Sequence, residues 1–336
     1  MTRLLNEKMI RELLTVKEIN EIVDQTFKDF GNEIVINPPK VNLDLGETGN
    51  YPYYEGFMNA MPAYIGGDSD IAGLKWVGGF AGERQKANLP YITAMILLVN
   101  PQVGNFEAVL EGSYISNMRT GSQTAVALKY LHPKKEITIG MYGAGLQART
   151  QIQTISEWFD ITRLVVWNHR RVTAETFAEE MKAYVSGEII IADPAKPEEA
   201  ADNDALITVT PAQEAFLTKE MVKPGTIVFP MGSFQEVSDD LILAADKIIV
   251  DHAEQALHRG ALKSLNSEGI ITEANITTTI GELAVGKSKL GDLSNEITIC
   301  IPIGTGALDV AVAAHAYKKA VEQGIGEHFT FFDNSF

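Results

Sequence analysis

Cysteine, long apolar runs and an excess of basic charge are all missing from this sequence. Its single cysteine, Cys300, excludes an intrachain disulfide and a multi-cysteine zinc site, and it lies in an apolar run typical of a buried thiol. No histidine stands at a metal-ligand spacing from Cys, Asp or Glu, so no metal is predicted. No run reaches the roughly 18 apolar residues of a membrane span, and residues 1–8 lack the apolar segment of a signal peptide. We therefore expect a cytoplasmic protein without a membrane partner.

Acidic residues clearly outnumber basic ones. The chain has 28 Lys and Arg against 44 Asp and Glu, which gives a net charge of −16 and a pI near 4.8. The negative electrostatic field of such a chain repels the phosphate backbones of nucleic acids, so we expect no nucleic-acid partner. A small anionic ligand must then be held by a few local cations or by backbone N–H groups.

The 336 residues are sufficient for about two globular domains, at roughly 150 residues each. Residues 9–30 carry apolar side chains at helical spacing. Between residues 38 and 110, short apolar runs split by Gly, Pro and Asn predict a β-rich unit with an antiparallel or mixed sheet. Turn signals at residues 80–83 and 100–105 predict hairpins within it.

The pattern of apolar residues changes after a predicted helix at residues 116–131. Continuous apolar strands alternate with helices, which is typical of a parallel sheet covered on both faces. The second half is therefore predicted to be a doubly wound α/β unit. Its predicted strands cover residues 137–142, 164–167, 189–191, 205–209, 226–229 and 247–251, and its first helices cover residues 147–158 and 174–185.

A glycine-rich turn joins the first of these strands to the helix that follows. Residues 143–148 read GAGLQA, and the strand–turn–helix–strand context makes this pattern a prediction of dinucleotide binding. Gly143 permits the tight turn, Gly145 lets the backbone approach a pyrophosphate, and Ala148 keeps the helix near the strand. An ordinary glycine-rich turn is the alternative.

The second strand ends without the acidic residue that binds the ribose of NAD in many enzymes. Asn168 stands near that position, about 20 residues past the glycine turn. Asn168 does not repel a 2′-phosphate, and Arg170 and Arg171 are able to pair with one, so NADP(H) is favoured and NAD(H) is the second choice. Two solvated arginines opening a helix are the alternative.

Several motifs follow one another in a characteristic order. They are residues 61–64 (MPAY), 71–77 (IAGLKWV), 118–125 (MRTGSQTA), 143–148 (GAGLQA) and 250–256 (VDHAEQA). Together they resemble the ornithine cyclodeaminase and mu-crystallin family, and the resemblance covers nearly the whole chain. It implies a homodimer in which a Rossmann domain is inserted into an α+β substrate-binding and dimerisation domain. The implied bounds are 118–305 for the former and 1–117 plus 306–336 for the latter.

The resemblance also implies that Lys75 and Arg119 bind the carboxylate of a small amino or imino acid beside the nicotinamide, with Lys40 as a third basic ligand. From the residues alone, an ammonium in the apolar strand around Lys75 must reach water or meet an anion, and Arg119 offers a planar fork for a carboxylate. A structural ion pair is the alternative for either one. The residues assigned to the cofactor are Thr120, Gly143, Ala144, Gly145, Leu146, Gln147, Asn168, His169, Arg170 and Arg171.

Two positions depart from ornithine cyclodeaminases. Asn59 and Ser233 stand where those enzymes have a glutamate near the reacting water and an aspartate that holds the substrate amine. We assign both to the substrate, but neither supplies a carboxylate, which argues against ornithine cyclisation.

The preferred hypothesis is an NADP(H)-dependent oxidoreductase that interconverts a small 2-imino acid, cyclic or open, and an amino acid. Lys75 would also donate the proton if burial lowers its pKa toward neutrality. The alternatives are an ornithine cyclodeaminase with bound NAD and a non-catalytic NADPH-dependent ligand-binding protein. Asp309, at the start of the last helix, is expected to cap that helix, with contact to the substrate pocket as the second choice.

Overall fold

Apolar side chains at helical spacing near the start of the chain form two helices. In the computed structural model, which describes residues 1–46, 54–232 and 235–331, strand β1 (Thr2–Leu5) precedes helices α1 (Glu7–Leu13) and α2 (Val16–Gly31). The Thr15 hydroxyl accepts a hydrogen bond from the backbone N–H of Glu18, and the Glu18 carboxylate accepts one from the backbone N–H of Thr15. This capping box begins α2. Strand β1 was not predicted from the sequence pattern.

The described part of the chain forms two units, Met1–Arg119 with Thr305–Phe336, and Thr120–Gly304. The domain boundaries implied by the family resemblance lie between residues 117 and 118 and between residues 305 and 306. The remaining elements that begin in the first unit are β2 (Val35–Ile36), β3 (Val41–Asp44), β4 (Gly56–Ile65), β5 (Ile71–Phe80), α3 (Glu83–Lys86), β6 (Ile92–Val99), β7 (Phe106–Glu111) and α4 (Ser113–Leu131), in which the division falls.

The second unit alternates strands and helices. Its elements are β8 (Glu136–Tyr142), α5 (Leu146–Ser156), β9 (Asp160–Trp167), α6 (Arg171–Met181), β10 (Glu188–Ile191), β11 (Ala205–Thr208), β12 (Ile227–Pro230), α7 (Asp239–Leu243), β13 (Lys247–Val250), α8 (Ala253–Leu257), α9 (Lys263–Ser267), β14 (Thr278–Thr279), α10 (Ile280–Ala284) and β15 (Thr298–Ile301). The chain then returns to the first unit with α11 (Gly306–Gln323) and β16 (Glu327–Phe329).

The first unit contains a mixed sheet in the order β16-β1-β7-β6-β5-β4-β2, with β3 paired to β4. Only β1 and β7 run parallel among its described pairs, so the predicted antiparallel or mixed sheet is confirmed. The hairpin predicted at residues 100–105 joins β6 to β7, and the N–H of Asn100 bonds to the carbonyl of Asn105. The turn signal at residues 80–83 begins the connection between the antiparallel neighbours β5 and β6, and this connection is longer than a tight turn because it contains α3.

Helix α11 packs against α2 and against strands β4, β5 and β6 of this sheet. Two glycines permit the close approach. A Cβ on Gly73 would lie 2.9 Å from Cγ2 of Val310, and one on Gly306 would lie 2.6 Å from the carbonyl oxygen of Met61. The first turns of α11 are therefore held directly on the face of β4 and β5.

The second unit contains a sheet in the order β10-β9-β8-β11-β12-β15-β13-β14, and all of its described pairs are parallel. Its central strands β8, β11, β12 and β15 are almost wholly buried, and the predicted doubly wound parallel sheet is confirmed. The chain builds outward from β8 through β9 and β10, then returns to the other side of β8 with β11. Ligands of such sheets bind at the carboxyl ends of the strands near this reversal.

Among the described residues, no helix combines the length and the apolar character needed to cross a membrane. In the same part of the chain, no group of three or more His, Cys, Asp or Glu side chains is arranged to hold a metal ion.

Candidate active site

The glycine turn lies between β8 and α5, beside the point where the strand order reverses. Gly143 has a φ of 105°, and a Cβ there would come within 2.9 Å of the carbonyl oxygen of Val209, so the turn requires glycine. Gly145 is the N-cap residue of α5, and a Cβ built on it meets no atom within 4 Å. The space above Gly145 is thus open in front of the backbone N–H groups at the start of α5.

Close helix packing supports this turn from behind. Ala148 is fully buried, and a Cβ on Gly121 of α4 would lie 2.4 Å from the carbonyl oxygen of Thr150 in α5. Within the same unit, Gln151 donates a hydrogen bond to the carbonyl of Thr120. The open cradle at Gly145 and the exposed helix start fit the pyrophosphate of a dinucleotide.

The end of β9 holds the four residues predicted to contact the ribose. The Asn168 side chain is buried and donates a hydrogen bond to the carbonyl of Arg170, which fixes the turn into α6. His169 and Arg170 are exposed. Arg171 forms an ion pair with Glu175 one helical turn later, at 3.0 Å. Arg170 is therefore the better placed of the two arginines to meet a ligand.

A buried carboxylate that the sequence analysis missed ties together two loops at the carboxyl edge of the parallel sheet. Glu236 accepts hydrogen bonds from the hydroxyls of Thr208 and Thr210 and from the backbone N–H groups of Thr210 and Gly232, all at 2.6–2.7 Å. Burial raises the pKa of this carboxyl above its usual range, although the four hydrogen bonds act in the opposite direction. Glu236 fixes the backbone that follows β11 and β12.

In the first unit, the two cations predicted to bind a substrate carboxylate lie together. Lys75 is 1% exposed, and its Nζ is 2.7 Å from Oδ2 of Asp309, while Nε of Arg119 donates to Oδ1 of the same carboxylate at 3.1 Å. The Ser116 hydroxyl accepts from Lys75 Nζ at 3.1 Å and from Arg119 Nη2 at 3.2 Å. We call these four residues the cation cluster.

The expectation that Asp309 caps the last helix is wrong. Thr305 is the N-cap residue of α11, and Asp309 is fully buried against the two cations. Burial alone would raise the pKa of Asp309, but attraction to Arg119 and Lys75, with their hydrogen bonds, outweighs it and holds the pKa below its usual value. Asp309 is therefore an ionised carboxylate that binds both cations.

Asn59 belongs to the same face of the sheet as Lys75. Met61 pairs with Lys75 across β4 and β5, and Asn59 lies two residues before Met61, which makes it a diagonal neighbour of Lys75 at about 7 Å. Its side chain is buried, and its Oδ1 has no hydrogen-bond partner among the described residues. Lys40 lies half-buried just before β3, and the prediction for Ser233 falls outside the described residues.

The sequence and the fold were compared with those of known proteins. The model of the ornithine cyclodeaminase/mu-crystallin family matches residues 1–324. The chain belongs to the ornithine cyclodeaminase/mu-crystallin family. A family relative named alanine dehydrogenase, from Archaeoglobus fulgidus, is 31% identical over 98% of this chain and 99% of its own length.

Two solved structures are similar over the same extent. One is an archaeal alanine dehydrogenase dimer with bound NAD, with 30% identity, a TM-score of 0.89 and coverage of 98% of this chain and 99% of that chain. The other is a Δ1-pyrroline-2-carboxylate reductase from Thermococcus litoralis in complex with NADH and L-proline, with 30% identity, a TM-score of 0.88 and coverage of 98% and 100%. The family resemblance inferred from the motifs is thereby confirmed.

Proposed function

We propose that this family member is an NAD(P)H-dependent oxidoreductase that reduces the C=N bond of a small 2-imino acid, cyclic or open, to an amino acid, or catalyses the reverse reaction. The cation cluster carries the proposal. The two relatives described above support it, because one is named an alanine dehydrogenase and the other a Δ1-pyrroline-2-carboxylate reductase.

The cluster is suited to bind a carboxylate in one orientation. Lys75 and Arg119 carry two positive charges and share the single carboxylate of Asp309, so a carboxylate from the substrate complements the group. Asp309 and Ser116 restrict both cations before the substrate arrives, and this preorganisation lowers the entropic cost of orienting the reacting carbon.

Bound NAD(P)H supplies the hydride that the imine carbon accepts. The proton for the imine nitrogen must come from elsewhere, and we assign it to the Lys75 ammonium. The ammonium of Lys75 carries the proton to be donated, and Asp309 at 2.7 Å and Ser116 at 3.1 Å fix the position of its Nζ. Oδ1 of Asn59, which has no hydrogen-bond partner among the described residues, would accept the N–H of the protonated imine or of the amine.

We assign the cofactor to the carboxyl edge of the parallel sheet, with the pyrophosphate at Gly143, Ala144, Gly145, Leu146 and Gln147. The absence of a carboxylate at the end of β9 and the exposed Arg170 favour NADP(H) over NAD(H). Arg170→Ala should reduce the preference for NADPH over NADH in kcat/KM by about tenfold or more, since a charge-assisted hydrogen bond contributes roughly 1.5–3 kcal/mol. Arg171→Ala, which removes a side chain already paired with Glu175, is the matched control.

We also propose a homodimer formed through the outer face of the mixed sheet. Val41, Ala60, Trp76 and Met95 lie opposite one another across β3, β4, β5 and β6. Trp76 and Met95 are 53% and 55% exposed. An apolar row of this kind is typical of a protein interface, and the similar alanine dehydrogenase is described as a dimer.

Cofactor oxidation in the purified protein tests the proposed reaction. NADPH and NADH are each supplied with Δ1-pyrroline-2-carboxylate, with Δ1-piperideine-2-carboxylate, and with pyruvate plus ammonia or methylamine. Oxidation with at least one imino acid, lost in Arg119→Ala while NADPH still binds, is the expected result.

Other outcomes would contradict the reductase. Release of ammonia from ornithine without accumulation of oxidised cofactor would indicate a cyclodeaminase. Binding of an imino acid in the presence of NADPH, without turnover of any substrate, would indicate a ligand-binding protein.

A further inference from the structure

A half-buried arginine lies at the carboxyl edge of the parallel sheet, away from the glycine turn. Arg259 follows α8 and immediately precedes a short 3-10 helix, Gly260–Leu262. A Cβ on Gly260 would lie 3.8 Å from the carbonyl oxygen of Gly232 and 4.0 Å from Cγ2 of Ile303. The segment therefore runs beside the ends of β12 and β15, on the ligand-binding edge of this fold.

Arg259 differs from the other arginines of this unit. Arg149, Arg163 and Arg171 each pair with a glutamate, and Arg170 is exposed to water. Within residues 120–232 and 235–304, Arg259 alone is half-buried and lacks a hydrogen bond or ion pair with another residue. Burial lowers the pKa of its guanidinium, which reflects the loss of hydration.

Two more polar groups of the same segment lack partners. Nδ1 of His252 and Nε2 of Gln255 are buried without a hydrogen bond in the described structure, and the Gln255 side chain is among the buried polar residues, at 7% exposure. Both atoms can donate a hydrogen bond, the histidine in the appropriate tautomer. Among the described residues, the segment from His252 to Arg259 thus contains two buried atoms able to donate and an unpaired cation, the composition of a site for an anion.

We propose that Arg259 is an anion-binding residue that takes an oxyanion, either a carboxylate or a phosphate, of a ligand bound at the carboxyl edge of the parallel sheet. The planar guanidinium matches both groups in a bidentate manner. An unpaired, partly desolvated cation destabilises the unliganded protein, and the bound oxyanion removes that cost. Only the assignment of the oxyanion to a substrate rests on the proposed function.

The test uses the full chain with Arg259→Gln, Arg259→Lys and the control Arg163→Gln, which removes an arginine of β9 that pairs with Glu188. The first readout is thermal unfolding with and without inorganic phosphate or malonate. Anions should raise the Tm of wild type more than that of Arg259→Gln, since a ligand that binds only the folded state stabilises it. Without anions, Arg259→Gln should keep or raise the Tm.

Two further measurements distinguish the sources of the oxyanion. If the Kd of NADPH or NADH, measured without substrate, is about tenfold or more higher in Arg259→Gln than in wild type, the oxyanion belongs to the dinucleotide phosphates. The second measurement uses a dicarboxylic imine formed from oxaloacetate and ammonia. If Arg259→Gln raises the KM for this imine by a similar factor but leaves the KM for Δ1-pyrroline-2-carboxylate unchanged, the oxyanion is a second carboxylate of the substrate. Arg259→Lys should retain part of either effect.

Unchanged anion stabilisation, Kd and KM in Arg259→Gln would overturn the proposal. A lower Tm in that variant together with unchanged anion responses would assign Arg259 a purely structural role. The anion and dinucleotide measurements need no turnover, so they decide the question even if no imino acid proves to be a substrate.

Discussion

Replacing Asp309 by asparagine removes the negative charge shared by the cation cluster while keeping the size of the side chain. In the native chain the carboxylate is fully buried, 2.7 Å from Nζ of Lys75 and 3.1 Å from Nε of Arg119. Breaking a buried ion pair from one side costs about 3–5 kcal/mol, because the remaining charge is left without compensation. We expect Asp309→Asn to lower the free energy of unfolding by about 3 kcal/mol or more at neutral pH.

The pH dependence of this loss has a defined sign. The pKa of Asp309 in the folded protein lies below its ordinary value of 3.8. Its stabilisation is therefore present above pH 3.8 and disappears as the pH falls through the lowered folded pKa. The difference between wild type and Asp309→Asn should accordingly shrink in acid.

Urea unfolding and steady-state kinetics together measure the effect. Since displacement of reacting groups by about 1 Å costs on the order of 100-fold, kcat/KM for the imino acid should fall by about that factor. NADPH affinity should be unchanged. The control is Asp240→Asn, which alters an exposed aspartate in the first turn of α7.

A double variant separates charge from shape. Lys75→Met combined with Asp309→Asn removes one of the two cations that the single variant leaves behind, so the two changes should be non-additive in unfolding free energy. Equal stability of Asp309→Asn and wild type, with unchanged kcat/KM, would refute the assignment of Asp309 as the shared counter-ion.

Three further changes test other parts of the structure. Gly145→Val should weaken NADPH binding in a fluorescence titration with little loss of stability, because its Cβ meets no protein atom within 4 Å; an unchanged Kd would remove the pyrophosphate assignment. Trp76→Glu should convert the dimer to a monomer in light scattering, whereas Val172→Glu, at a residue 72% exposed, should not; dimers in both would exclude this face. Glu18, whose pKa is lowered to about 2 chiefly by its hydrogen bond with Lys319, stabilises the fold above pH 4.5 and loses this effect as the pH falls toward 2. Glu18→Gln should thus cost about 1 kcal/mol in urea unfolding at neutral pH and less in acid, and a pH-independent difference would contradict the ion pair.

Local sequence patterns predicted the parts of the fold that depend on local physics. The apolar strands of the second unit are continuous because both faces are covered, and the turn around Gly143 and Gly145 is visible as a motif between a strand and a helix. Lys75 and Arg119 were predictable as ligands of an anion, because one is a cation in an apolar strand and the other offers a planar fork on a helix.

The role of Asp309 was not predictable from its surroundings in the chain. An acid in the first turns of a helix is ordinarily explained by the helix dipole. Its contact with Arg119 joins residues 190 positions apart and exists because Gly73 and Gly306 allow α11 to lie on the sheet. Ser116 was predictable as a neighbour of Arg119, because it lies three residues earlier on the same helix face. The three residues that donate hydrogen bonds to Glu236 meet only in the folded sheet.

In the proposed reaction, an imino acid is reduced while the cation cluster holds its carboxylate. The most direct test compares NADPH oxidation with Δ1-pyrroline-2-carboxylate and with 1-pyrroline, which has the same ring and imine but no carboxylate. We predict turnover of the former in wild type, a kcat/KM for the latter lower by on the order of 100-fold, and turnover of the former in Arg119→Ala no faster than that of the latter. Equal kcat/KM for the two imines in wild type would contradict this mechanism.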